Sequence, residues 1–335
     1  MTTDLVNKLM EDVTLKENKN PSLIETHISW VIITHKYAYK IKKPVRFSFL
    51  DFSTLDKRKY YCEKELMLNQ RLSKDIYLNV LPIQVNQGHI SIGAGNGKTE
   101  DYAVQMKRLQ ANKLMQILLE KNQVVERDIK KIALKIAGFH QEATSIKTDF
   151  DQAIVINKFN DIKQVKPFMQ ERFGEAEFID KVILYAEKFV HKHNHLFHKR
   201  CVEGMIRDCH GDLHSGNIFL YANPIIFDCI EFSDSYRQID VLNEIAFFCM
   251  DLEAHKKNEL SRLFLEIYLH VFPCIRSEEE QRLFIYYKLY RANVRAKVNA
   301  LKALQKKEKS EFLLLEKEVG RYIKLMKEYL ILLKG

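Results

Sequence analysis

Two short runs rich in β-branched and aromatic residues, 31–34 and 37–42, are separated by the polar pair His35-Lys36, and this pattern predicts a β-hairpin. Residues 23–28 supply a third run of the same kind. Beyond Pro44 and the aromatic stretch 47–52, Ser53 or Thr54 stands where a side chain can cap a helix, which the spacing carries to about residue 72. Strands are expected at 79–85 and 102–109, with a glycine-rich hairpin between them. From Ala111 onward the apolar positions take helical spacing, most plainly at Ile129, Ile132, Ala133, Ile136, Ala137 and His140. Short strands interrupt the helices around 207–228, after which helices are expected at 240–252, 259–272, 278–306 and 311–333. No repeat of fixed period is evident. Strands, one helix and more strands, then helices, predict an α+β chain with a small mixed lobe and a larger helical one.

Composition narrows the class without changing that picture. A chain of 335 residues with 46% hydrophobic and 11% aromatic residues and little Gly or Pro can bury a sizeable core, which excludes a disordered or collagen-like polymer. Residues 1–13 lack the basic start and continuous apolar stretch of a signal peptide, and the longest apolar runs, 245–250 and 329–333, are too short to span a bilayer. A cytoplasmic protein with no membrane partner is expected. Six cysteines without a C-x-x-C pair read as reduced, mostly buried thiols. The net charge of +9 is concentrated late in the chain, where the segment from Lys256 onward holds 18 Lys plus Arg against 10 Asp plus Glu. Such a basic surface suits an anionic partner, or it is the solvated face of long helices.

The chemistry is carried by His210-Gly211-Asp212-Leu213-His214-Ser215-Gly216-Asn217, followed by an apolar run that ends in Phe227-Asp228. An Asp with an Asn five residues on, and a second Asp at a strand end, supplies one carboxylate for a substrate hydroxyl and two oxygen ligands for Mg²⁺. Asp212 is the candidate base or hydroxyl-orienting residue, and Asn217 and Asp228 are the candidate metal ligands. His210 reads as a hydrogen-bonded core histidine that steadies the loop, with a direct catalytic role as the alternative.

This segment, with Ile226-Phe227-Asp228-Cys229-Ile230-Glu231-Phe232, resembles the aminoglycoside phosphotransferase-like branch of the protein-kinase-like fold. Thr26-His27-Ile28-Ser29-Trp30-Val31, Tyr39-Lys40-Ile41-Lys42-Lys43-Pro44, Phe49-Leu50-Asp51-Phe52-Ser53, Met250-Asp251-Leu252-Glu253 and the helix segment from Tyr290 to Lys297 resemble a poorly characterised bacterial group within it. The resemblance implies a bilobal α+β fold: an extension at 1–20, a nucleotide-covering lobe at 21–109 with an antiparallel sheet and one helix, and a mainly helical lobe at 110–335. It also implies a strand lysine at the ATP phosphates and a helix glutamate paired with it. Tyr37-Ala38-Tyr39-Lys40 fits that strand pattern and assigns Lys40; Lys42, on the same strand face, is the alternative. Glu65 is preferred to Glu63 because Leu68 and Leu72 would pack its helix on the core. The adenine edge is expected at the backbone of Met106 and Leu109.

Several features depart from the pattern or imitate another. The phosphate-covering loop has no glycine-rich run, and Thr26 and Ser29 stand there instead. Glu244 occupies a position where family members commonly carry the Asp that braces the catalytic loop, so Asp240 is a second candidate for that task. Gly97-Lys98-Thr99 imitates a P-loop, but the glycine that motif needs five residues earlier is Ile92, and a strand, not a helix, is expected next. Relatives of the group often carry a second, P-loop kinase domain after the first, and none is expected in these residues. His191, His193, His195 and His198 have helical spacing without a matching ligand set and read as a solvated helix end. Arg291, Arg295 and Lys302 share a helix face and are candidates for an anion-binding wall at the acceptor substrate, the alternative being ion pairs with neighbouring carboxylates.

The sequence therefore predicts an ATP- and Mg²⁺-dependent phosphotransferase acting on a small-molecule hydroxyl. A nucleotide-binding pseudokinase is the competing reading. Nucleic-acid binding by the basic helices is not expected, because Tyr286, Tyr287 and Tyr290 have core spacing.

Overall fold

Alternation along the strands gives the N-terminal sheet two differently covered faces, and this decides where its lysines point. The computed structural model describes residues 1–12, 21–47, 50–93 and 95–335; Val13, Phe49 and Ala94 lie outside the described residues. The chain divides into two compact units. The first comprises Met1–Leu118, His210–Asp212 and Gly216–Arg237, and the second Leu119–Cys209, Leu213–Ser215 and Gln238–Gly335.

In the first unit, β1 (Ser22–Glu25), β2 (Ser29–Ile33) and β3 (Tyr37–Lys42) are followed by the two-residue strands β4 (Arg46–Phe47) and β5 (Leu50–Asp51). The helix Leu55–Ser73 comes next, then β6 (Tyr77–Asn86), β7 (His89–Ile92) and β8 (Lys98–Lys107). The six longer strands form one antiparallel sheet in the order β1-β2-β3-β8-β6-β7. One face carries Trp30, Ile32, Ile41, Ile83 and Ala103, which bury together with Val6 and Leu9. Those last two come from the helix Thr3–Glu11, capped by the Thr2 hydroxyl, so the segment expected to be an extension contributes to the sheet's core.

The helix Leu55–Ser73 packs on β6 and β8, and the Thr54 hydroxyl accepts from the Lys57 amide at its start, as capping chemistry predicts. Its buried stripe includes Arg58, Cys62, Glu65, Leu68 and Leu72 at helical spacing. Two of these are charged, and each meets an opposite charge. Arg58 Nε lies 2.9 Å from both carboxylate oxygens of the wholly buried Asp101, and Glu65 is described below. The hairpin of Ile218–Phe219 with Ile225–Ile226 also belongs to this unit.

The second unit is helical apart from a short ladder between Ile206–Asp208 and Gln238–Asp240. Its central helix, Val241–Ala254, is capped by Asp240 and buries every residue but Glu253. The long helices Glu278–Leu304 and Lys309–Lys334 pack along one another. Ser277 caps the first of them, and Glu278, Glu279 and Glu280 in its first turn complement the helix dipole. Tyr286 and Tyr287 are buried. Among the described residues no helix is long and apolar enough to cross a membrane.

Candidate active site

Period-two alternation puts Lys40 and Lys42 on the face of β3 that the helix Leu55–Ser73 covers, and one glutamate of that helix serves both. Glu65 is wholly buried, with Oε1 2.9 Å from Lys40 Nζ and Oε2 2.7 Å from Lys42 Nζ. Each lysine has a further carboxylate. Lys40 Nζ lies 2.6 Å from Asp228 Oδ1, and Lys42 Nζ is in direct contact with Glu231 Oε1. Glu63, the alternative to Glu65, is exposed and meets Lys59 on its own helix at 3.9 Å.

Exposure separates the two lysines where strand geometry does not. The Lys42 side chain is completely buried, with its ammonium 4.8 Å from the centre of the Phe52 ring, whereas 14% of the Lys40 side chain is exposed. Burial works against the charge on both, but their carboxylates outweigh it and hold the two ammonium groups above the usual lysine range. Burial likewise opposes ionisation of Glu65, and Lys40 and Lys42 outweigh it, so its carboxyl sits below the usual range. Glu231 goes the other way: burial raises it, and Lys42 offsets that only in part.

Asp228 stands at the end of the hairpin that starts from Asn217. The Ile218↔Ile226 register and the bond from the Phe227 amide to the Asn217 carbonyl, 3.1 Å, bring the two ends of this segment together. That closure brings an Asn and an Asp eleven residues apart in sequence to the same end of the hairpin. Asp228 has φ +64°, a left-handed backbone that a non-glycine residue adopts only when its surroundings hold it. Its amide donates to the Tyr77 hydroxyl at 3.1 Å, and the Cys229 amide donates to Asn69 Oδ1 at 2.9 Å. Asn69 in turn donates to the Glu65 carbonyl at 2.9 Å, and Ser73 Oγ donates to the Ile226 carbonyl at 2.7 Å. The helix that carries Glu65 thus also fixes the turn that carries Asp228.

His210 Nε2 donates to the Phe227 carbonyl at 2.9 Å, which makes Nδ1 the acceptor for the Asp212 amide at 3.3 Å. Both ring nitrogens are engaged with main chain around the two aspartates. Gly211 has φ +88°, and a Cβ there would come within 2.8 Å of the Tyr236 carbonyl oxygen, so both backbone and space require glycine. Asn217 Nδ2 donates to the Asp212 carboxylate at 2.9 Å and to its carbonyl at 3.0 Å. This orients the Asp212 side chain and turns the Asn217 amide oxygen away from it.

The remaining expected residues have the following places. The Thr26 hydroxyl is used inside the β1–β2 turn, donating to the Ser29 carbonyl at 3.1 Å and accepting from the Ser29 amide at 3.0 Å. Ser29 is buried, opposite Lys42 in the ladder. Met106 is in β8, paired with Ala38 and Tyr77, and Leu109 follows the strand. A cleft of about 550 Å³ is lined by His35, Arg108, Gln110, Ala111 and Asn112, and no residue of the lysine–carboxylate network lines it.

In the second unit, the Ser215 amide donates to Asp251 Oδ2 at 2.8 Å, and Asp251 is buried on the central helix. Glu244, expected to brace this loop, meets His140 Nε2 at 2.8 Å, while His140 Nδ1 lies 2.7 Å from the Tyr268 hydroxyl. Asp240, the other candidate, accepts from Arg200 and from the Leu242 amide. Arg291 is buried, with Nε 2.6 Å from Asn243 Oδ1 and its guanidinium 4.6 Å from the centre of the Phe247 ring. Arg295 lies against Tyr322. Burial, and then the charge of Arg291, push the Lys158 ammonium down to about 8. His193 and His195 lie 3.9 and 3.4 Å from Glu279.

Glu231 and Asp251 have roles that motif reading misses. Both stand in segments that carry the family resemblance, but neither belongs to the D-x-x-x-x-N and F-D spacing. One signal for Glu231 is present in the sequence: a second lysine on the inner face of β3 demands a second buried carboxylate.

No family model matches the chain. It is similar to uncharacterised proteins of Mycobacterium tuberculosis and Mycobacterium bovis, each 31% identical over 289 residues that cover 84% of this chain and 55% of the relative. The chain spans about half the length of the curated relatives it matches. Among solved structures, the GDP complex of wild-type aminoglycoside 2′-phosphotransferase-IIIa is similar with a TM-score of 0.54 at 12% identity, covering 97% of both chains. Choline kinase from Cryptosporidium parvum is similar with a TM-score of 0.53 at 12% identity, covering 98% of this chain and 95% of that one. A choline/ethanolamine kinase family protein from Mesorhizobium loti gives 0.53 at 12% identity over 100% of both chains. The chain has the α+β protein-kinase-like fold in its aminoglycoside phosphotransferase-like form.

Proposed function

We propose that the chain transfers the γ-phosphate of ATP to a hydroxyl of a small-molecule acceptor in a Mg²⁺-dependent reaction. The observation that carries this reading is the network of Lys40, Glu65 and Asp228, set beside a hairpin whose other end presents Asn217 bonded to Asp212. Support also comes from the fold, which small-molecule kinases share.

Lys40 is the ammonium that meets the nucleotide phosphates, because it is the one of the two lysines with an exposed side chain. Glu65 holds it in direction. Asp228 and Asn217 form an all-oxygen donor set, and 43% of the Asp228 side chain is exposed, which fits a hard cation such as Mg²⁺. When bound, that ion neutralises charge on the phosphates. Asp212, oriented by Asn217, aligns the acceptor hydroxyl and takes its proton. His210 keeps the loop in shape through its two main-chain bonds. Leu109, beyond the end of β8, supplies the backbone edge for adenine, Met106 being paired on both sides in the sheet, and Thr26 and Ser29 belong to the turn over the phosphates.

Calorimetric titration with ATP, with and without Mg²⁺, tests the reading on the wild-type chain and on Asp228→Asn. Tighter binding with Mg²⁺, reduced roughly tenfold or more in the variant, is expected for loss of a charged ligand. Equal Mg²⁺ dependence in both chains would contradict the assignment.

A further inference from the structure

Lys42 is the lysine for which phosphoryl transfer has no direct use. Its side chain is wholly buried, so it cannot reach a ligand, and an ammonium is costly to bury unless it is fully paired. An alkyl side chain could fill the same space against Phe52 without that cost. The charge therefore needs its own reason, and its partners supply one. Lys42 Nζ lies 2.7 Å from Glu65 Oε2 and in direct contact with Glu231, which is 3% exposed and follows Asp228 by three residues on the same turn.

We propose that Lys42 and Glu231 are positioning residues, a buried ion pair that holds Glu65 and the Asp228 turn in register while Lys40, still directed by Glu65, turns part of its ammonium from Asp228 to nucleotide phosphates. This deepens, and rests on, the phosphotransferase reading. Without ligand, Lys40 divides itself between Glu65 Oε1 at 2.9 Å and Asp228 Oδ1 at 2.6 Å. Once Lys40 turns toward a phosphate, both carboxylates lose some of that anchor. Glu65 keeps Lys42 on its other oxygen, so it neither moves nor becomes an unpaired buried charge. The Asp228 turn keeps Glu231, which is fastened to the same ammonium. The charge count agrees with this division. Two ammonium groups face three carboxylates, and Asp228 is the most exposed of the three, so the surplus negative charge lies where a cation can arrive.

The test is calorimetric titration of ATP into the wild-type chain, Glu231→Gln and Glu231→Asp, with and without Mg²⁺. For Glu231→Gln the expected result is an ATP affinity without Mg²⁺ within about twofold of wild type, and a loss of roughly tenfold from the gain that Mg²⁺ brings. Glu231→Asp keeps the charge with a shorter reach and is expected to lose less of the same gain, which leaves a usable variant if Glu231→Gln does not fold. An unchanged Mg²⁺ gain in both variants overturns the proposal and leaves the phosphotransferase reading standing. Equal losses with and without Mg²⁺ also overturn it, because they mark a general structural defect. A wild-type chain that shows no Mg²⁺-dependent ATP binding overturns both readings together.

Discussion

Lys40 Nζ lies 2.6 Å from Asp228 Oδ1, across 188 positions of sequence, and the same ammonium is 2.9 Å from Glu65 Oε1. One strand residue thereby ties the helix Leu55–Ser73 to the turn after the Ile225–Ile226 strand. Lys42 repeats the arrangement one layer deeper, with Glu65 and Glu231.

The two lysines should differ in what they contribute to stability. Lys42→Met leaves Glu65 and Glu231 both buried and short of positive charge, and is expected to cost about 3–5 kcal/mol. Lys40→Met leaves Glu65 paired with Lys42 and the half-exposed Asp228 in water, and is expected to cost about 1–2 kcal/mol. Urea denaturation at neutral pH checks the order. A larger cost for Lys40→Met would contradict the burial argument.

Gly211 and Gly88 form a matched pair for the loop. Their φ angles are +88° and +86°, but a Cβ on Gly211 would meet the Tyr236 carbonyl oxygen at 2.8 Å, while one on Gly88 meets nothing within 4 Å. Gly88→Ala should cost about 1 kcal/mol for the left-handed backbone alone, and Gly211→Ala at least about 2–3 kcal/mol. Denaturation midpoints of the two variants give the comparison, and equal costs would show that the Gly211 backbone gives way without penalty.

Stability should respond to pH through Glu231. Burial raises its carboxyl above the usual glutamate value of 4.5, so the folded chain takes up this proton at a higher pH than the unfolded chain does. Its contribution grows on acidification toward that value and is lost as pH rises through the folded value. Glu65 has the opposite sign: Lys40 and Lys42 outweigh burial, and its contribution is present above 4.5 and lost as pH falls below it. On acidification from neutral pH toward 4.5, wild type should therefore gain stability relative to Glu231→Gln, read as the difference in denaturation midpoint. A difference that stays flat or shrinks on acidification would remove Glu231 from this account.

Much of the architecture is legible in the sequence because its signals are local. Alternation marks β2 and β3, the Thr54 cap marks the start of the helix Leu55–Ser73, and helical spacing marks Glu126–Glu142. Strand β8 begins at Lys98, earlier than alternation suggests, because Lys98 to Asp101 are polar and owe their place to the ladder with β6. The packed helix Thr3–Glu11 is nearly silent, since only Val6 and Leu9 of it are buried. Spacing alone marks Asp212, Asn217 and Asp228, whereas Asn69 and Tyr77 reach the Asp228 turn through tertiary contacts and Glu231 shows its part only through its contact with Lys42. Asp251 stays hidden for the same reason, being 36 residues from the Ser215 amide it holds.

The Asp212 carboxylate is expected to serve transfer of a phosphate to a hydroxyl. The most direct measurement is phosphate transfer from Mg²⁺-ATP to a panel of hydroxylated metabolites, neutral and anionic, by the wild-type chain and by Asp212→Ala. A phosphorylated product is expected with wild type, and a rate lower by roughly a hundredfold or more in the variant, whose nucleotide affinity is retained. Equal transfer by both chains, or tight nucleotide binding with no transfer to any acceptor by wild type, would contradict it.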